Sequence, residues 1–151
     1  MKDSEKPPTG VHIWLVLMKA FHSLSAYGGP GLRAGGLGDS DFRVLEVLLH
    51  KGPLPVNAIG PKVFLTPGSI STAVDRLFER GLVSRADQAQ DRRVRVVDLT
   101  PRGRKLIERV FKAHAARMEE LAAGLTTAER TQLVQLLKKI GKRAALGYSF
   151  E

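Results

Sequence analysis

A chain of 151 residues and 16.5 kDa, 43% hydrophobic and 26% charged, can bury one compact core, which excludes wholesale disorder, a collagen-like repeat and a mucin-like stalk. The absence of cysteine removes disulfides, cysteine-ligated zinc, iron-sulfur clusters and thiol chemistry together, and fits a cytoplasmic address. Lys plus Arg number 24 against 15 Asp plus Glu, giving +9, so the natural partners are polyanions, nucleic acid ahead of a membrane surface.

Residues 1–10, with Pro7, Pro8 and Gly10 among charges, form a polar arm expected to be flexible. From Val11 to about Tyr27, Trp14, Leu17, Met18, Phe21 and Leu24 repeat at helical spacing, while Ile13, Leu15 and Val16 load the other side. A helix apolar on more than one side has two things to pack against, its own core and a second chain. The stretch is too short to span a bilayer, and Lys19 interrupts it. Gly28-Gly29-Pro30-Gly31 and Gly35-Gly36-Leu37-Gly38 predict that the helix ends at Gly28 in a loop reaching residue 38.

Phe42, Val44, Leu45, Leu48 and Leu49 predict a second helix, capped by Asp39 or Ser40 and closed by Gly52-Pro53. A short third helix is expected from Val56 to Phe64, kinked or divided at Gly60-Pro61. Thr66-Pro67 pairs a capping hydroxyl with the helical position that favours proline. The fourth helix so opened carries Ile70, Val74, Leu77 and Phe78 on its core face and closes at Gly81. The period then changes to two, with one strand at Leu82 to Arg85, a second at Val94 to Asp98, and a polar link between them. Thr100-Pro101 repeats the helix start for a long stripe of Leu106, Ile107, Val110, Phe111, His114, Met118 and Leu121. Thr126 and Glu129 form a capping box for a last helix with Leu133, Leu136, Leu137 and Ile140.

The fold class is therefore mainly α with a small β-hairpin, in the order of a winged helix-turn-helix over residues 39–100. A helix N-terminus can enter the major groove and present free amides to phosphate. Pro67, Gly68 and Ser69 are thin enough for close approach; Ser69, Ser71 and Thr72 can hydrogen-bond to bases or phosphates, and Arg76 can reach guanine or the backbone. The alternative is an ordinary solvated helix face. Arg85, Arg92, Arg93, Arg95, Arg102, Arg104 and Lys105 stand against Asp87, Asp91 and Asp98, a basic wing able to lay arginine in a minor groove. Arg92 and Arg93 lead; Arg95 reads equally as a solvent-facing strand residue, a partner for Asp98 or a DNA contact.

The run Asp91-Arg92-Arg93-Val94-Arg95-Val96-Val97-Asp98-Leu99-Thr100-Pro101-Arg102-Gly103 resembles the wing signature of the MarR (multiple antibiotic resistance regulator) family. Phe42-Arg43-Val44-Leu45, Ser69-Ile70-Ser71 and Leu77-Phe78-Glu79-Arg80-Gly81-Leu82-Val83 resemble its helix-turn-helix, and the similarity runs from about Val11 to Ala145. In that wing an aspartate and an arginine two positions later structure the tip and the arginine meets DNA, so the resemblance gives those roles to Asp91 and Arg93.

The resemblance also implies an obligate homodimer gripping a pseudo-palindromic operator in double-stranded DNA. Residues 11–38 would form the N-terminal dimerisation helix and loop, and residues 101–151 the C-terminal dimerisation helices. Trp14, Leu17, Met18, Leu121, Leu133 and Leu137 are the expected interface. Family members often sense small aromatic compounds; Trp14, Phe21, His22, Phe42 and Phe111 can line such a pocket or serve as plain core. His12, His22, His50 and His114 are scattered without metal-ligand spacing, so no metal and no cofactor is expected. His50, beside Lys51, suits a helix C-terminus. With no phosphate loop, activated nucleophile or paired carboxylates, an enzyme is not expected. The expected function is a ligand-released repressor; the alternative is a winged-helix protein-interaction module without operator binding.

Overall fold

The computed structural model describes residues 7–87 and 95–147. They fall into two compact units, one ending at His114 and one starting at Ala115. The first contains helices α1 (Gly10–Ala34), α2 (Asp39–Lys51), α3 (Val56–Val63) and α4 (Pro67–Glu79). It also holds strands β1 (Leu54–Pro55), β2 (Val83–Asp87) and β3 (Arg95–Leu99) and the start of α5 (Pro101–Ala122). The second holds the end of α5 and α6 (Thr127–Gly147). Among the described residues no helix is long and apolar enough to cross a membrane.

The first helix is longer than its glycines predict. Thr9 caps it, its hydroxyl accepting the His12 N–H at 3.2 Å, and it continues through Gly28-Gly29-Pro30-Gly31 to Ala34. Only residues 35–38 remain as loop. Tertiary contact overrides local propensity here: continuing the helix carries Gly28 and Leu32, one turn apart, into buried positions. Pro30 sacrifices one helical donor without breaking the run. The true end is at Gly35 and Gly36, where Leu37 N–H returns to Leu32 O at 3.0 Å and Gly36 takes φ +80°.

Neither Asp39 nor Ser40 caps α2. The cap is Gly38, and Asp39 begins the helix, where it and Asp41 place negative charge at the positive end of the dipole. The third helix is one helix and not two: Pro61 lies inside it, and Phe64 ends it in the left-handed region at φ +54°. The Leu65 N–H closes this turn onto Gly60 O at 3.1 Å, and Gly60 suits the site because a Cβ there would stand a tight 3.2 Å from the Leu65 carbonyl oxygen.

The expected hairpin is part of a three-stranded antiparallel sheet in the order β1-β3-β2. Leu54 and Pro55 pair with Val97 and Val96, an edge that two residues were too few to announce by alternation. β2 and β3 pair from Val83 with Leu99 to Asp87 with Arg95. The core joins Val44, Leu45 and Leu48 of α2 to Ile59, Ala73, Leu77, Val97 and Ile107, all fully buried. It fixes α4 against α2 and α3 on one flank and the sheet on the other.

In the second unit the capping box is complete. Glu129 accepts the Thr126 N–H at 2.8 Å, and the Thr126 hydroxyl accepts the Glu129 N–H at 3.3 Å. The Thr126 N–H and then its hydroxyl, both donating to the Glu129 carboxylate at 2.8 Å, hold that carboxyl below its ordinary value. Arg130 closes the turn, donating to the carbonyls of Ala122 and Leu125 and pairing with Glu119 at 2.7 Å.

Candidate nucleic-acid interface

The predicted start of α4 forms as expected: the Thr66 side chain accepts the Ser69 N–H at 3.2 Å, and Pro67 occupies the first turn. Ile70, Ala73, Val74 and Leu77 bury one face, which turns Pro67, Gly68, Ser69, Ser71 and Thr72 outward. Gly68 has open space where a Cβ would stand, so a flat surface can come up to the backbone. The Ser71 and Thr72 hydroxyls donate to the carbonyls of Pro67 and Gly68, each at 3.0 Å. Their oxygens are left to accept, and rotation restores the donor for a phosphate.

Beside this helix a cleft of about 640 Å³ opens among α3, α4 and the sheet, lined by Ser71 and Asp75 from α4 and by Arg85 and Arg95 from the strands. Arg85 is tied in place by an ion pair with Asp75 and lies over the Phe78 ring at 4.6 Å from the centroid. Arg95 is exposed and shares its strand face with Val97 and Leu99; Asp98 lies on the other face, its carboxylate accepting the Leu99 N–H at 2.7 Å. That geometry favours Arg95 toward solvent or a ligand over a pair with Asp98. Asp91, Arg92 and Arg93 lie outside the described residues.

Arg76 has a different neighbourhood from the open groove expected of it. Its Nε donates to both carboxylate oxygens of Asp41 at 3.0 Å, and its Nη2 reaches the Ser40 hydroxyl at 3.1 Å. The hydrogen bonds it donates to Asp41 raise its pKa further above an already high value. Asp41, absent from the sequence expectations, and Arg80, given no site role there, complete this group. Helical periodicity marks such positions as polar, but cannot tell which of them meet across 35 residues of chain.

The aromatic candidates divide. Phe42 and Phe111 stand on facing helices: Phe42 stacks obliquely on His114 with centroids 5.0 Å apart, and His50 meets Phe111 edge-on at 4.8 Å. The His114 Nδ1 is buried without a hydrogen-bond partner. His50, in the last turn of α2, also lies 3.6 Å from Glu46. Phe21 lines a separate cleft of about 480 Å³ with Arg43, Glu46 and Phe64. Trp14 and His22 are exposed on α1 and join neither group. The expected interface residues Trp14, Leu17, Met18, Leu121, Leu133 and Leu137 all lie exposed on their helices. Among the described residues no cluster could hold a metal ion.

Comparison with known proteins follows the same lines. A family model described as MarR family matches residues 35–94. The HTH-type transcriptional regulator MhqR of Bacillus subtilis is 34% identical over 132 residues, spanning 87% of this chain and 91% of its own. The HTH-type transcriptional repressor MdtR, also of Bacillus subtilis, is 26% identical, spanning 87% and 85%. Among solved structures, Bordetella bronchiseptica BpsR, whose DNA binding is regulated by 6-hydroxynicotinic acid, superposes with a TM-score of 0.77 at 26% identity, over 85% of this chain and 98% of its own.

Proposed function

This chain belongs to the MarR family of DNA-binding transcription regulators, which are not enzymes, and on that premise we propose that it acts as a cytoplasmic homodimer binding a pseudo-palindromic operator as a repressor released by a small aromatic effector. The observation that carries operator binding is the start of α4, a capped helix that turns Gly68, Ser69, Ser71 and Thr72 outward beside the exposed Arg95 strand. Asp91, Arg92 and Arg93 extend the wing by the sequence resemblance. The resemblance of MdtR supports repression, since a protein seated over a promoter blocks polymerase unaided.

Dimerisation is supported by apolar side chains that have no cover. Trp14, Leu17, Met18, Phe21 and Leu24 are 38% exposed or more along α1. Leu121, Leu133, Leu136, Leu137 and Ile140 are 40% exposed or more along α5 and α6. Contiguous apolar stripes of this kind mark interaction surfaces on soluble proteins. Residues 11–38 and 101–151 are accordingly the dimerisation segments, and a two-fold pair sets recognition helices one duplex turn apart.

An aromatic effector is supported by the cluster of Phe42, His50, Phe111 and His114 rings between α2 and α5, where the buried His114 Nδ1 has no hydrogen-bond partner. The effector of BpsR is itself an aromatic ring with polar substituents. The test is selection of duplexes from a random pool by the purified protein, followed by a mobility shift and sedimentation of the complex. The expected result is a two-fold symmetric consensus bound by two chains; retention of every duplex alike by single chains overturns the proposal.

A further inference from the structure

We infer that Asp41 is a positioning residue for DNA recognition, fixing the angle of α4 through Arg76 and Arg80, so that Arg76 serves as a counter-ion and not as a base-reading side chain. Resting on the operator reading above, this adds to it the device that aims the helix.

Asp41 is the one buried charged residue among the described residues. A carboxylate removed from water must be paired and hydrogen-bonded or lose its charge. Both cations that meet it come from the C-terminal end of α4, four residues apart, Arg76 in the last turn and Arg80 at the cap. Arg76 makes the forked contact through Nε and Nη2, and Arg80 Nη1 stands 3.5 Å from the Asp41 Oδ2 atom that Nε also meets. Arg80 continues outward, its Nη2 donating to Gly36 O at 2.8 Å in the turn that ends α1. The recognition helix is thus latched at its C-terminal half to the first turn of α2 and to the end of α1.

The latch matters for DNA because of leverage. Its apolar contacts through Ile70, Ala73, Val74 and Leu77 resist separation but have no preferred direction. A planar guanidinium on a carboxylate does have one. From Arg76 to Ser69 the helix rises about 10 Å, so a tilt of about 10° about the latch moves the reading residues by about 2 Å, which breaks a hydrogen bond. Arg76 spends Nε and Nη2 on the Asp41 carboxylate and the Ser40 hydroxyl, so while the latch is closed no adjacent pair of its donors is left to fork onto guanine.

The test compares the parent with Asp41→Asn, Arg76→Gln and the charge-neutral double variant, on selected and random duplexes across a salt series, with melting temperatures measured alongside. The expected result is that all three variants lose about tenfold in the ratio of selected to random binding while the slope of log affinity against log salt is unchanged. The double variant should lose no more than either single one, since both break the same latch. A purely stabilising pair lowers the melting temperature and leaves the ratio of the folded protein intact, which overturns the inference. A salt slope reduced by about one in Arg76→Gln alone also overturns it, because it marks direct phosphate contact. If Asp41→Asn fails to fold, the double variant decides between the same outcomes. A parent without sequence selectivity overturns the operator reading and the inference together; a selective parent with an equally selective Asp41→Asn overturns the inference alone.

Discussion

Gly103 lies directly under the Leu82 carbonyl: a Cβ at that position would stand 1.8 Å from the oxygen and 2.8 Å from the carbon. The contact lets the first turn of α5 meet the end of the α4 to β2 turn, where the Thr100 N–H donates to the same Leu82 oxygen at 3.1 Å. The Thr100 hydroxyl joins both sides, donating to Gly81 O at 2.7 Å and accepting the Gly103 N–H at 3.0 Å. Gly103 closes the sequence run that resembles the family's wing, and its place there has a packing cause. Gly103→Ala should cost about 3 kcal/mol or more in urea unfolding, since backbone and not a flexible side chain must give way. An unchanged unfolding midpoint would falsify this account of the glycine.

What the sequence made legible is local. The Thr66, Thr100 and Thr126 starts could be read because a cap and the amide it satisfies lie three residues apart. The run through Gly28 to Ala34 could not, because burial of Leu32 and not local entropy decides it. β1 depended on Val96 and Val97, about forty residues away, and carried a proline that argues against a strand when seen alone. Arg76 illustrates the limit at the site itself. Its polar position on α4 was legible; its commitment to Asp41 was set by how α2 crosses α4.

Arg93→Ala should weaken binding to the selected operator by about 1 to 3 kcal/mol while leaving the dimer intact. The expectation rests on the arginine-rich wing sequence around Asp91. Fluorescence anisotropy with a labelled duplex, together with sedimentation, separates this loss from one caused by dissociation. Binding equal to the parent's removes Arg93 from the interface.

Glu129 carries its cap as a carboxylate. Its folded pKa lies below the ordinary value of 4.5, so its contribution is present above that value and fades as pH falls through the lower folded one. An NMR titration of the Glu129 side chain should find a midpoint below 4.5 in the parent. In Thr126→Val the midpoint should return toward the ordinary value, because the hydroxyl that donates at 2.8 Å is gone. A midpoint indifferent to that change removes the hydroxyl as a cause.

Salt should act strongly on operator binding. One chain carries +9, and a pair doubles it. If two chains neutralise about ten phosphates, the slope of log affinity against log salt is roughly −9. A slope near zero in the same titration would separate the basic surface from DNA binding altogether.

Leu121 and Leu137 test the dimer from its other side. Both stand on apolar stripes, 40% and 42% exposed respectively, so a charge there is tolerated in a single chain and buried in a paired one. Leu137→Asp should therefore leave the helical circular dichroism of α6 near that of the parent and shift sedimentation from dimer toward monomer. Leu121→Asp should do the same if the stripe on α5 belongs to the interface. Because an operator with two half-sites needs two linked modules, either variant should also lose the selected duplex while keeping weak, salt-sensitive binding to random DNA. Dimers that persist in both variants place the interface elsewhere and leave these leucines without a role in assembly.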